Sequence, residues 1–309
     1  MRLWSVVDKK SVLFLLLLFV MPSGLLAQTS AVGVRLADVS PPFGPAGPAR
    51  LASTLNTDFT MFPSVTTSRL SPYGAGPQVL NLLAFCFNPF TGAILPNCDI
   101  NLQATAANGS GGHVHNTNRP RGMFNPSSGN TGASGFLPVA YTSPEASGIT
   151  NVLLFGFLNG VPITPGLFTI GVEFDGLQLA NGTNLIVDTA SQMHGNNNGF
   201  ASSDMISAIQ NLPGDFADLL AQSNGGTAPA VEFTALSLPV GGLFDFQNEW
   251  RPPHVSHRFG NDGDIAIRNL TRAQRAALAR ACTNDGFTFP VPGERPQDAN
   301  ATHWHIRLN

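Results

Sequence analysis

Hydrophobic residues in this chain recur with one period before residue 180 and with another after residue 200, so one type of layer cannot serve the whole sequence. From 28 to about 180, short apolar runs alternate with turn clusters: VLNLLAFCF (79–87), INLQATA (100–106), GFLPVAYTS (135–143), NVLLFGFL (151–158) and LFTIGVEFDGLQL (167–179). Segments between them, such as Pro-Phe-Thr-Gly and Asn-Gly-Val-Pro, are turn formers. Regular strand–turn spacing of this kind favours an all-β sandwich. After 200 the pattern becomes helical. SSDMISAIQNL (202–212) opens on Ser/Asp cap residues and spaces Met205, Ile206, Ile209 and Leu212 on one face. With 309 residues there is room for two domains. The sequence therefore reads as multidomain, with an all-β sandwich over 28–180 and a small α+β domain over 181–309. The Gly/Asn-rich stretch 179–199 lies at their junction.

Within the second unit, Pro213-Gly214 is expected to end the first helix, and DFADLLAQ (215–222) to form a separate short turn of helix. VEFTALSL (231–238) is strand-like. A second helix is signalled by a capping box, Thr271 with Gln274, by the face Ala273, Ala277, Leu278 and Ala281, and by Gly286 beyond its end. HWHIRLN at the end reads as a strand. In the first unit YTSPEASG (141–148) resembles a turn of bacterial immunoglobulin-like modules, which makes the sandwich immunoglobulin-like by resemblance.

Residues 1–27 read as a secretory signal peptide: Arg2, Lys9 and Lys10 precede the apolar run SVLFLLLLFV (11–20), and Ala27 supplies the small residue for cleavage. That run is shorter than the ~20 residues a membrane span needs. The expected mature chain is secreted, periplasmic or extracellular, with no transmembrane segment. It carries thirteen Arg and no Lys against eighteen acids, a formal charge of −5. Nucleic-acid binding needs a basic excess and is not expected. Residues 251–309 hold eight Arg against five acids, whereas 28–250 hold five against thirteen, a further sign of two unlike units. Of the three cysteines, Cys86 and Cys98 are close enough to bridge in an oxidising compartment and to staple a hairpin. Cys282 then remains as a small buried residue in the second helix.

Chemistry-bearing residues concentrate near the end. Four of the seven histidines lie in RPPHVSHRFGNDGDI (251–265) and HWHIRL (303–308). Two imidazoles and a carboxylate are a sufficient protein set for a zinc ion that keeps a position open. His257 and Asp264 are seven apart, and a loop containing Gly260 and Gly263 can aim both at one point. His303 and His305 alternate along a strand and share a face. His113 and His115 repeat the His-x-His form within the β unit, and His194 falls in a loop; neither reads as a principal site.

Ser256, His257, Gly260 and Asp264, followed by His303 and His305, form a pattern that resembles the zinc peptidases of bacterial cell-wall peptides. That group includes the D-alanyl-D-alanine carboxypeptidases and penicillin-insensitive murein endopeptidase, with a core shared by lysostaphin-type peptidases and the hedgehog domain. Arg251, Pro253, His254, Ile265 and Ile306-Arg307-Leu308 extend the match, which covers about 230–309. The resemblance implies His257, Asp264 and His305 as ligands of Zn2+, His303 as the base, and peptidoglycan peptides as substrate. His254, Arg258 and Arg307 become candidates for supporting the ligands or the developing oxyanion. The murein endopeptidase pattern has a further His where this chain has Asn300. Because hedgehog relatives use such a site without hydrolysis, the alternative is a non-catalytic, zinc-containing cell-surface binding or adhesion protein.

Overall fold

The structure, a computed structural model, describes residues 33–38, 58–64, 78–112, 119–174, 176–187, 198–224, 226–243 and 257–308. The expected leader, His113, His115, His194 and His254 lie outside the described residues.

The first unit is two sheets face to face. One has the order β1 (Gly33–Asp38), β3 (Val79–Phe87), β8 (Phe136–Thr142), β6 (Met123–Asn125), with β4 (Ile94–Leu95) also paired to β3. The other has the order β2 (Phe59–Met61), β11 (Gly166–Val172), β9 (Gly148–Leu158), β5 (Cys98–Ala106), β7 (Ser128–Asn130), with β10 (Val161–Pro162) on β9. Alternation along each strand selects the inner face. Leu80, Leu82, Ala84 and Cys86 of β3 meet Ile100 and Leu102 of β5, Val152 and Leu154 of β9, and Ile170 and Val172 of β11. Full burial of an aliphatic side chain of this size contributes about 1.5–3 kcal/mol, so the inner faces hold the sheets together.

Cys86 and Cys98 are disulfide-bonded with Cα atoms 6.3 Å apart. The bridge is not a staple within one hairpin. Cys86 stands on β3 of one sheet and Cys98 opens β5 of the other, so it ties the sheets across the core, where both cysteines are fully buried. The spacing of 12 is compatible with either arrangement, because β4 intervenes and the chain changes sheet between Leu95 and Cys98.

The second unit is a five-stranded sheet in the order β13 (Leu185–Val187), β15 (Val231–Ala235), β16 (Asp262–Ala266), β18 (His303–Leu308), β17 (Phe287–Thr288). The pair β13–β15 is parallel and the rest are antiparallel. Between the units a short ribbon pairs β12 (Gln178–Leu179) with β14 (Phe200–Ala201). Helices α1 (Ser203–Gln222) and α2 (Arg272–Asn284) share a core with Phe233, Ile265, Trp304 and Ile306 of the sheet. Trp304, 1% exposed, meets Phe289 edge-on. Among the described residues no helix is long and apolar enough to cross a membrane.

Pro213 does not break α1, contrary to the expectation from sequence. One helix of 20 residues runs through it. Met205, Ile209 and Leu212 before the proline and Phe216, Leu219 and Leu220 after it are all buried. This stripe stays in phase only if the helix continues, and its burial offsets the roughly 3 kcal/mol of an interior proline. In α2 the capping box forms as the sequence indicates, and Gly286 follows at φ +85°. Burial on α2 starts at Ala277, however, so Ala273 is exposed.

Candidate metal centre

Two neighbouring strands build most of the site. β16 and β18 pair so that Asp262 faces Arg307, Asp264 faces His305 and Ala266 faces His303. With a side-chain period of two, Ile265, Trp304 and Ile306 go to the core, leaving Asp262, Asp264, His303, His305 and Arg307 on the opposite face. Asp264 is thus held by a strand, not by a glycine loop. Gly263 serves a packing purpose, since a Cβ there would lie 2.7 Å from Leu236 Cδ2. Gly260 is the turning residue, with φ +76° and Ser202 donating its backbone N–H to the Gly260 carbonyl.

His257, from the turn before β16, completes the cluster. Its Nε2 lies 3.4 Å from Asp264 Oδ1, and His305 Nδ1 lies 2.8 Å from the same oxygen. The two imidazole rings are perpendicular, with centroids 5.0 Å apart. One ligand atom from each of the three residues lies within 4.8 Å of the others. Tetrahedral zinc with bonds of about 2.0–2.1 Å places its ligand atoms about 3.3 Å apart, so the donor set fits the ion in chemistry and in scale. His257, Asp264 and His305 are 0%, 7% and 2% exposed.

The far nitrogen of His305 is also engaged. Nε2 is 3.1 Å from Asp262 Oδ1, and Arg307 donates from Nε to that oxygen at 2.7 Å. An Nε2–H donated to Asp262 leaves the Nδ1 lone pair for a metal, a carboxylate–imidazole arrangement common behind metal ligands. Burial alone would lower the His305 pKa, but hydrogen bonds and charge from Asp262 and Asp264 push it up to about 9. For Asp264 burial works to raise the pKa, and the facing imidazoles of His257 and His305 overcome it, holding the carboxyl well below its usual range.

On the more open side stands His303, its side chain 33% exposed, with Nε2 3.6 Å from Glu294 Oε1. Asp264, Glu294 and His303 form a second group with ligand atoms within 4.8 Å. Glu294 lies in the segment joining β17 to β18, pinned to the site because His305 donates its backbone N–H to the Glu294 carbonyl.

Asp262 and Glu294 join the site without having been marked by the sequence pattern. Asp262 was legible by alternation, two residues before Asp264 on the same strand. Glu294 sits in an irregular segment with no period to mark it. Arg258 and Arg307, the candidate oxyanion helpers, are both engaged with carboxylates. Arg307 reaches the cluster through Asp262, whereas Arg258 pairs with Glu145 of the sandwich at 2.7 Å.

No protein-family model matches the chain, and no curated protein matches it. Similar solved structures include the D00-D0 domain of intimin, at 13% identity and TM-score 0.22, covering 37% of this chain and 46% of that one. The match thus spans less than half the length of the intimin structure. A PapD-like domain of human CEP192 is 14% identical with TM-score 0.26, covering 56% and 94%. The Yersinia pseudotuberculosis adhesin InvE is 10% identical with TM-score 0.33, covering 90% and 70%. None of the three superposes closely enough for its function to bear on this chain.

Proposed function

We propose that the protein is an exported zinc-dependent peptidase that hydrolyses amide bonds in the peptides of bacterial peptidoglycan. The observation that carries this reading is the convergence of His257, Asp264 and His305 within 4.8 Å, with His303 on the same strand face. Zinc held there supplies Lewis-acid polarisation of a scissile carbonyl and acidification of a water. The chain's own residues do the rest. Asp262, gripped by Arg307, fixes the ring of His305 so that Nδ1 faces His257 and Asp264. His303, beside Glu294, takes a proton from the attacking water and returns it to the leaving amine. The test is metal analysis of the purified protein together with muropeptide cleavage by the wild type and His305→Ala. Stoichiometric zinc and cleavage lost in the variant are expected; cleavage that survives in the variant sinks the reading.

The second reading is a non-catalytic, zinc-containing surface binding or adhesion protein. The near-complete burial of all three proposed ligands favours it, because substrate must reach the metal's open position for hydrolysis and buried ligands restrict that approach. Cobalt substitution separates the two: a four-coordinate spectrum indifferent to added substrate analogues supports the closed site, and a spectrum that responds to them supports the peptidase.

A further inference from the structure

The ligand-bearing turn is anchored outside the unit it belongs to. Immediately after His257, Arg258 is 1% exposed, and its Nη2 lies 2.7 Å from Oε2 of Glu145, in the sandwich loop between β8 and β9. Next, Phe259 meets Phe174 edge-on with centroids 4.6 Å apart, and Phe174 stacks on Phe62 at 5.8 Å. Residues 239–243 close over the joint. Gly242 donates its backbone N–H to the Arg258 carbonyl at 3.0 Å, Leu243 donates to the Glu145 carbonyl at 2.9 Å, and Phe174 donates to the Val240 carbonyl at 2.9 Å. Chains approach so closely here that a Cβ on Gly242 would collide with Ser147, and one on Gly241 with the Arg258 carbonyl.

We propose that the β-sandwich is an integral part of the metal centre, with Glu145 as a positioning residue that fixes His257 through Arg258. The inference rests on the zinc reading of the cluster. A buried guanidinium that loses its carboxylate must move toward water or remain uncompensated. His257 is the adjacent residue, one Cα–Cα step of about 3.8 Å away. Metal sites tolerate only about 0.2 Å in ligand distance, so a small shift of Arg258 is felt at the ion. This coupling gives the sandwich a role beyond carrying or spacing the second unit.

The test uses the full chain in four forms: wild type, Glu145→Ala, Glu145→Gln, and Leu102→Ala as a sandwich-core control away from the joint. Zinc affinity is measured by competition with a chromophoric chelator, and amide exchange over 257–266 is measured on metal-free protein. Glu145→Ala is expected to weaken zinc binding about 10-fold, the low end of what losing a direct partner of a ligand costs because Glu145 acts one residue removed, and to speed exchange over 257–266. Glu145→Gln, which keeps an acceptor for Arg258, should show a smaller change in both, and it decides the matter if the alanine variant does not fold. Leu102→Ala should lower the melting temperature without changing either readout. Unchanged affinity and exchange in the Glu145 variants, or equal changes in Leu102→Ala, overturn the proposal. If the wild type takes up no zinc, the peptidase reading fails, and exchange alone then decides the clamp: faster in Glu145→Ala supports it, unchanged overturns it.

Discussion

Asp262 illustrates how much a single carboxylate behind a proposed ligand can determine. It is 2% exposed, and both His305 and Arg307 converge on its Oδ1. Asp262→Asn presents an amide where a charge was, weakening the hold on the His305 ring. The expected result is zinc affinity about 10–100-fold weaker with stoichiometry unchanged, measured by chelator competition. His257→Ala or His305→Ala should instead abolish stoichiometric binding, because two protein ligands remain. The three residues of the proposed site stood out in the sequence because their spacing and flanking residues resemble a known pattern, and the structure brings them together. Asp262 was legible only after its strand was known. Glu145 was not legible at all, since it lies more than a hundred positions before His257 and no local pattern links the two.

At the level of the elements, the two helices share an apolar core but also bring two carboxyl groups together. Asp285, the C-cap of α2, is pushed up to about 6 by burial and by the facing carboxylate of Asp215 on α1. An acid with a raised folded pKa favours the protonated native state. Its contribution to stability is therefore greatest below about pH 4 and is lost as pH rises through about 6. Asp285→Asn is expected to raise the melting temperature at pH 7–8 and to change it little at pH 4, as thermal denaturation at both pH values would show. Equal effects at the two would assign the change to capping instead. The same helices mark where local sequence signals gave way. Thr271 and Gln274 fixed the start of α2 through a contact three residues long. Pro213, an equally local signal, failed because the apolar stripe on either side of it is satisfied only by a continuous helix against the sheet. Strands β3, β5, β8 and β9 fell where the apolar runs placed them. β16 did not, because Asp-Gly-Asp has no strand propensity and owes its conformation to pairing with β15 and β18.

Over the whole molecule, the disulfide and the Glu145–Arg258 joint lie at opposite ends of β9. Cys98 pairs with Leu158 at its last residue, and Glu145 lies just before its first, Gly148. Eleven residues of strand, at about 3.3 Å each, separate global stapling from local positioning. A bridge closing a loop of this size stabilises by about 3 kcal/mol, which for the sandwich corresponds to a melting temperature roughly 6–12 °C higher. The double change Cys86→Ala, Cys98→Ala should therefore lower the thermal midpoint by that amount and leave zinc affinity at 25 °C within about twofold of the wild type. On the proposed zinc reading the ion binds only the folded chain, so a hundredfold excess over its dissociation constant should restore about 2.7 kcal/mol in the second unit. Calorimetry of the double variant with and without zinc distinguishes two outcomes. If the joint couples the units tightly, zinc raises one common transition; if the units melt separately, it raises only that of the second unit and leaves the sandwich transition in place.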